Sequence, residues 1–192
     1  MSKVLVPLAD GFEDLEAVAA VDVLRRGGVE VVTAAVGEGR SVRSAHGVRL
    51  EADALLDDVI DDGYDAIVLP GGAEGTANLK ACEPLLDRLN RQREERALIC
   101  AICAAPLVLV EAGVLDPEVQ VTCYPTCQME LDREWSPAPV VADGNVITSQ
   151  APGTALMFAL VVLRHLAGDA VAGRVARGMV AEMPMTDDES LP

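Results

Sequence analysis

Aromatic side chains are nearly missing from this chain of 192 residues: one Trp, two Tyr and two Phe make up 3% of it. A core without large rings must be filled by Val, Leu, Ile and Ala, and the chain is 51% hydrophobic, long enough to bury such a core. Positive charge is also scarce. Fifteen Lys and Arg stand against 31 Asp and Glu, a formal net charge of −16. That surface repels phosphate backbones and anionic lipid, so neither nucleic acid nor a membrane is an expected partner. Long hydrophobic runs are absent, and the longest, at residues 155–163, is too short to span a bilayer. The opening MSKVLVPLADG has no basic and then apolar leader. Five cysteines, an odd number, in a chain without an export signal point to a reducing, cytoplasmic compartment.

What is present is an alternation of strand-like and helix-like segments. Residues 4–8 read as a buried strand. Asp10-Gly11-Phe12-Glu13 offers a capping box, with Asp10 as cap and Glu13 reaching back, for a helix that runs to about Arg26 and stops at Gly27-Gly28. Strands are expected at 29–36, 64–69, 97–102, 119–123, 140–141 and 146–149, and a small hairpin at 41–50. Helices are expected at 55–60, 84–95, 104–112 and 153–166. Asp57, Asp58, Asp61 and Asp62 fall on one face of their helix, as a solvated face would. Repeated β-α units imply an α/β sandwich with a mostly parallel sheet, whose sites lie at the carboxyl ends of the strands. Residues 1–181 are expected to form a single domain, and 182–192 an acidic, flexible tail.

Three stretches fall at those strand ends: 11–16, Pro70-Gly71-Gly72 and Cys103. Cys103 stands where an apolar strand passes directly into a helix, and Ala101, Ala104 and Ala105 supply the small neighbours that a nucleophile elbow requires. A helix N-terminus favours a thiolate, which lowers a thiol from about 8.5 into the range of roughly 3.5 to 7.5. Gly71 and Gly72, lacking Cβ atoms, let backbone N–H groups approach a reacting oxygen, although a Pro-Gly-Gly run also makes an ordinary turn. The base is less evident. His165 reads as a packed helix residue, and His46 lies in the hairpin. Glu16 is the nearest acid–base candidate, and if its neighbours Leu15 and Val18 face the core it is partly buried. The spacing alone leaves a surface glutamate equally open. If Glu16 meets Cys103, two anions cannot share the site, and the favoured state is a protonated carboxyl beside a thiolate.

Cys100 and Cys103 form a CxxC, and Cys123 and Cys127 lie about twenty residues on, a spacing that suggests zinc on paper. On a strand, however, positions three apart are roughly 10 Å distant and face opposite ways. A disulfide needs Cα atoms within about 7 Å, and a shared metal demands similar closeness. No metal and no cofactor are therefore expected. Cys82 and Cys100 read as small packing residues, while Cys123 and Cys127 are left without a role.

GFEDLEAV (11–18), VLPGGAEG (68–75), AICAAP (101–106), YPT (124–126) and TSQAPGTA (148–155), in this order, resemble the ThiJ/PfpI superfamily, in the branch of the Parkinson disease protein seven and bacterial YajL. The resemblance implies a flavodoxin-like three-layer sandwich, a homodimer, and Cys103 as the reactive cysteine. It implies that Glu16 hydrogen-bonds Cys103, that Gly72 and Ala104 supply the backbone donors, and that Gly71, His46, Tyr124 and Pro125 line the site. It further implies a cofactor-free glyoxalase or deglycase acting on reactive dicarbonyls or early glycation adducts. The alternative is an oxidative-stress sensor or chaperone in which Cys103 becomes a sulfinate. A cysteine peptidase or amidase is a weaker alternative. Its branch places His directly after the cysteine, where this chain has Ala104. Tyr124 stands where the human-type protein has His, His46 where the family has an arginine, and Ala151 where it has Gly.

Overall fold

The structure is a computed structural model that describes residues 1–131 and 133–182. Its strands and helices run in the order β1 (Lys3–Leu8), α1 (Asp14–Arg26), β2 (Glu30–Ala35), β3 (Ser41–Arg43), β4 (Arg49–Glu51), β5 (Ala54–Leu55), α2 (Leu56–Val59), β6 (Ala66–Leu69), α3 (Ala73–Lys80), α4 (Glu83–Glu94), β7 (Leu98–Ile102), α5 (Pro106–Ala112), β8 (Val140–Asp143), β9 (Val146–Ser149), α6 (Ala155–Ala167) and α7 (Asp169–Gly178). Seven strands form one sheet in the order β5-β2-β1-β6-β7-β9-β8, and β3 and β4 form a separate hairpin. Every pairing in the large sheet is parallel except β8 with β9. This is the expected three-layer α/β sandwich with its small hairpin.

The strand period of two splits the core. Val4, Val6 and Leu8 join one apolar cluster with side chains of α1, α6 and α7. Leu5, from the same strand, joins a second cluster with side chains of α2, α3, α4 and α5. Both faces of the sheet are thus covered, which is why β1, β6 and β7 read as continuous apolar runs. Among the described residues no helix is long and apolar enough to cross a membrane.

Several expectations are corrected. The first helix begins at Asp14 and is capped by Glu13, whose carboxylate accepts the Glu16 N–H at 2.9 Å. Asp10 does not cap it, and instead accepts the Arg43 N–H at 2.8 Å, fastening the hairpin. Leu15 and Val18 are 61% and 52% exposed, whereas Glu16 is 1% exposed. The helix has rolled so that Glu16, Ala17, Ala20, Val23 and Leu24 face inward. The helix after Cys103 starts at Pro106, later than Ala104. No strand forms at 119–123, where Val121 makes only an isolated bridge to Trp135. Helix α3 was not anticipated, because its sequence AEGTANLK has a weak apolar face. The acidic tail, beyond residue 182, lies outside the described residues.

Candidate functional site

The carboxyl ends of β1, β6 and β7 lie side by side. Cys103 follows β7 directly and has φ of +64°, a left-handed conformation that a non-glycine residue adopts only when its surroundings impose it. Three backbone bonds impose it here. Cys103 N–H donates to Ser149 O at 2.9 Å, Tyr124 N–H donates to Cys103 O at 2.8 Å, and Ala105 N–H donates to Ile102 O at 3.0 Å. The small, buried Ala104 and Ala105 leave room for the corner. Cys103 itself is 8% exposed.

The glycines after β6 are required by contact. A Cβ on Gly71 would lie 2.7 Å from Cys103 Cβ and 2.8 Å from Glu16 Oε2. Gly72 has φ of +91°, and a Cβ there would collide with Gly11 O. With no side chains in the way, Gly71 N–H donates to Glu16 Oε2 at 2.7 Å. The Gly72 and Ala104 backbones act on the Cys103 sulfur in the sense of hydrogen-bond donors, favouring its thiolate.

Glu16 faces the same sulfur and interacts with it through its carboxyl group. Burial pushes the Glu16 carboxyl up to about 7, against the Gly71 N–H and the Cys103 thiol, which favour the anion; the Glu13 charge adds to the rise. With Oε2 held as an acceptor by Gly71, and Oε1 buried without a regular hydrogen bond, Oε1 is the oxygen left to carry a proton.

The expected low thiol pKa is corrected. Burial comes first, followed by the Glu16 charge and its hydrogen bond, and together they push the Cys103 thiol up to about 12 although Gly72 and Ala104 pull the other way. The sulfur lies outside the first turn of α5, so the dipole of that helix acts from a distance. Burial tolerates one charge and opposes a second. The two groups therefore share a single negative charge between about 7 and about 12, and the proton can sit on oxygen or on sulfur.

Other anticipated residues lie around this centre. Tyr124 reaches the elbow through its backbone while its ring is exposed, and Pro125 opens a short 3₁₀ turn at Pro125–Glu130. His46 is exposed on the hairpin, with Nδ1 2.9 Å from Asp14 Oδ2, and that contact raises its pKa. His165 Nδ1 lies 2.8 Å from the Val161 carbonyl, on α6. The structure thus brings Cys103, Glu16, Gly71, Gly72 and Ala104 together and pairs His46 with Asp14.

Sequence reasoning missed the framing role of Glu13, which caps α1 and also donates its own N–H to Gly71 O at 3.0 Å. Its signal was Glu13-x-x-Glu16, a cap and third residue displaced by three positions from the box that was read. It also missed Asp14. Burial works against the Asp14 carboxylate, but the Ser44 hydroxyl at 2.5 Å and the His46 ring hold it below its ordinary range. No local pattern could reveal that contact, which links residues about thirty positions apart. Glu13, Asp14 and His46 also place one ligand atom each within 4.8 Å of one another, as a metal site would. Glu13 already caps Glu16 and Asp14 already binds Ser44 and His46, so the cluster is satisfied as hydrogen-bonding structure.

Residues 2–165 match the model of the DJ-1/PfpI family. The chain is 40% identical over 184 residues to the protein dj-1beta of Drosophila melanogaster, covering 94% of this chain and 98% of that one. It is 36% identical over 168 residues to a Caenorhabditis elegans protein named glutathione-independent glyoxalase DJR-1.2, covering 86% of this chain and 88% of that one. It spans less than half the length of two Arabidopsis thaliana relatives, DJ-1 homologs A and B, covering 43% and 38% of them. Among solved structures, Toxoplasma gondii DJ-1 in an oxidized form superposes with a TM-score of 0.91 at 34% identity, over 94% of this chain and 99% of that one.

Proposed function

The chain belongs to the DJ-1/PfpI family, and from that premise we propose that it is a cysteine-dependent, cofactor-free enzyme of the glyoxalase or deglycase kind. Its substrates are small dicarbonyls such as methylglyoxal, or the early adducts they form with amines. The observation that carries this reading is the convergence of two backbone N–H groups and one protonatable carboxyl on a single sulfur.

The pair begins with one negative charge. Transfer of the thiol proton to Glu16 Oε1 frees the thiolate, which adds to the aldehyde carbon and forms a C–S bond. The carbonyl electrons go to oxygen, where the Gly72 and Ala104 N–H groups lie within reach. Glu16 returns its proton to that oxygen. As a carboxylate with a pKa near working pH, it then moves a proton from the former aldehyde carbon to the neighbouring carbonyl carbon through an enediol. The product is a thioester. Water cleaves its C–S bond, releasing lactate and regenerating the thiol. The overall change adds one water to methylglyoxal and requires no electron acceptor. The test is lactate formation from methylglyoxal by the purified protein, lost in both Cys103→Ser and Glu16→Gln. Retention of turnover in either variant overturns the assignment.

A second reading has its own support, because the Toxoplasma relative was solved in an oxidized form. Peroxide would convert Cys103 to a sulfinate, whose oxygens would accept from Gly72, Ala104 and protonated Glu16. A gain of two oxygens on Cys103 at low peroxide, with no lactate from methylglyoxal, favours this sensor. A peptidase is disfavoured, since His46 pairs with Asp14 and His165 with Val161, which leaves the sulfur without an imidazole base.

We further propose that a second copy of the chain covers the apolar groove of about 270 Å³ between α1 and α6, lined by Leu15, Val18, Ala155 and Leu156. Exposed leucine and valine on so acidic a chain are otherwise costly. Light scattering should give twice the chain mass, and Leu15→Glu should give the single mass. A monomeric parent overturns the proposal.

A further inference from the structure

Two sulfurs outside the site share one turn. Tyr124 O accepts the Cys127 N–H at 2.8 Å and the Cys123 thiol at 3.3 Å. Both bonds end on the same oxygen, so the chain doubles back and carries the two cysteines into the same apolar cluster. Pro125, at the first position of the turn, fixes its own φ and stiffens that fold-back. The turn is also anchored on both flanks. Trp135 Nε1 donates to Cys123 O at 3.2 Å, and Tyr124 N–H donates to Cys103 O at 2.8 Å.

We propose that Cys123 and Cys127 form an oxidisable dithiol, which peroxide closes to a disulfide within the turn that braces the Cys103 elbow. A disulfide requires Cα atoms within about 7 Å, and on this proposal the shared carbonyl is what holds these two, four residues apart, at that reach. The cysteines differ in access: Cys127 is half-buried and Cys123 fully buried. Cys127 therefore meets the oxidant first. Burial and then the Glu130 charge raise its thiol pKa, against a hydrogen bond from Thr126 that favours the thiolate.

The Cys127 thiolate attacks one oxygen of hydrogen peroxide, the O–O bond breaks, and hydroxide leaves, giving a sulfenic acid. The Cys123 sulfur then attacks the Cys127 sulfur. The S–S bond forms as the S–O bond breaks, and the departing hydroxyl takes the Cys123 proton and leaves as water. Two thiols and one peroxide give one disulfide and two waters. Both thiols are held up by burial, so closure accelerates above neutral pH.

This inference does not depend on dicarbonyl chemistry, and its test removes Cys103. The Cys103→Ser protein is treated with hydrogen peroxide at alkaline pH and read by intact mass and fragment sequencing. The expected product has lost two hydrogens per chain, carries a link between residues 123 and 127, and reverts with reductant. It is absent from Cys103→Ser/Cys127→Ser, with Cys127→Ala replacing the latter substitution should that variant fail to fold. An unchanged mass, added oxygen without loss of hydrogen, or a bridge that survives replacement of Cys127 overturns the proposal.

Discussion

Cys100 and Cys103 stand three residues apart, one inside β7 and one just past its end, and both are buried. Around Cys100 only burial acts, and it drives the thiol far above its ordinary range. Around Cys103 burial also drives the thiol up, but two N–H groups and a protonatable carboxyl are aimed at the same sulfur. Depth therefore does not distinguish the two cysteines. What distinguishes them is the left-handed corner that takes Cys103 out of the strand alternation and into reach of Gly72, Ala104 and Glu16.

The largest expected effect breaks that comparison outright. Cys103→Ala should reduce lactate formation to background. Cys100→Ala should leave it within about two-fold and lower stability by roughly 1 kcal/mol, the scale of a small core truncation. If the two variants behave alike, the polar groups around Cys103 do not set its reactivity.

Gly71→Ala attacks the corner while keeping both reacting side chains, which the new methyl would crowd. The new methyl would lie 2.7 Å from Cys103 Cβ and 2.8 Å from Ile102 O, so the strand end and the elbow must separate. A cost of about 1–3 kcal/mol in denaturant unfolding is expected for such overpacking, together with loss of turnover. Cys100, one turn of the alternation deeper, should keep its slow alkylation rate. Unchanged stability would mean that the elbow is looser than its contacts imply.

Glu16→Gln sharpens the comparison through pH. The folded carboxyl titrates at about 7, above its unfolded value of 4.5. Between those values the folded state binds the extra proton, so stability falls as pH rises through that window. The full difference amounts to about 3 kcal/mol. Glutamine carries no such charge, so the variant should gain stability relative to the parent as pH is raised from about 4.5 to about 7, and hold that gain above it. Its Cys103 thiol should also alkylate at lower pH, because the anion that opposes the thiolate has gone. Parallel stability curves for the two proteins would refute the burial of a charged Glu16.

Much of this arrangement was legible in the residues. Continuous apolar strands such as AIVL and LICAI announced a sheet covered on both faces, and a Cys between a strand and three small residues announced the elbow. Glu16 was harder, because Leu15 and Val18 suggested a core-facing stripe. The structure buries the glutamate, as one of the two open readings had it, but exposes both apolar neighbours on which that reading rested. Helical periodicity assigns the wrong face when the buried stripe contains a carboxyl and the exposed one an apolar groove. The thiol pKa was misread for a related reason. The dipole argument considered only α5, whereas the controlling charge and the burial come from α1, some ninety residues away, and from the sheet. Asp14, Ser44 and His46 were illegible, since only the folded hairpin brings them together.

The smallest expected effect concerns that hairpin. Contact with Asp14, first as a hydrogen bond and then as charge, raises the pKa of the exposed His46 ring. The cation is therefore favoured at mildly acid pH and fades as pH rises through the raised value. Glu13 joins the two neighbourhoods, since its charge raises His46 and also Glu16, while its carboxylate caps the helix that carries Glu16. His46→Ala removes the outermost member of this chain and leaves the Glu13 cap and the Gly71 bond intact. Lactate formation should stay within about two-fold of the parent, because exposed ion pairs transmit little through solvent. The acidic limb of its pH profile should flatten slightly, while the limb set by Glu16 near pH 7 remains. A ten-fold or larger fall in turnover would show that the hairpin histidine reaches the substrate, and that Cys103 is distinguished from Cys100 by a third group as well as by its backbone and its acid.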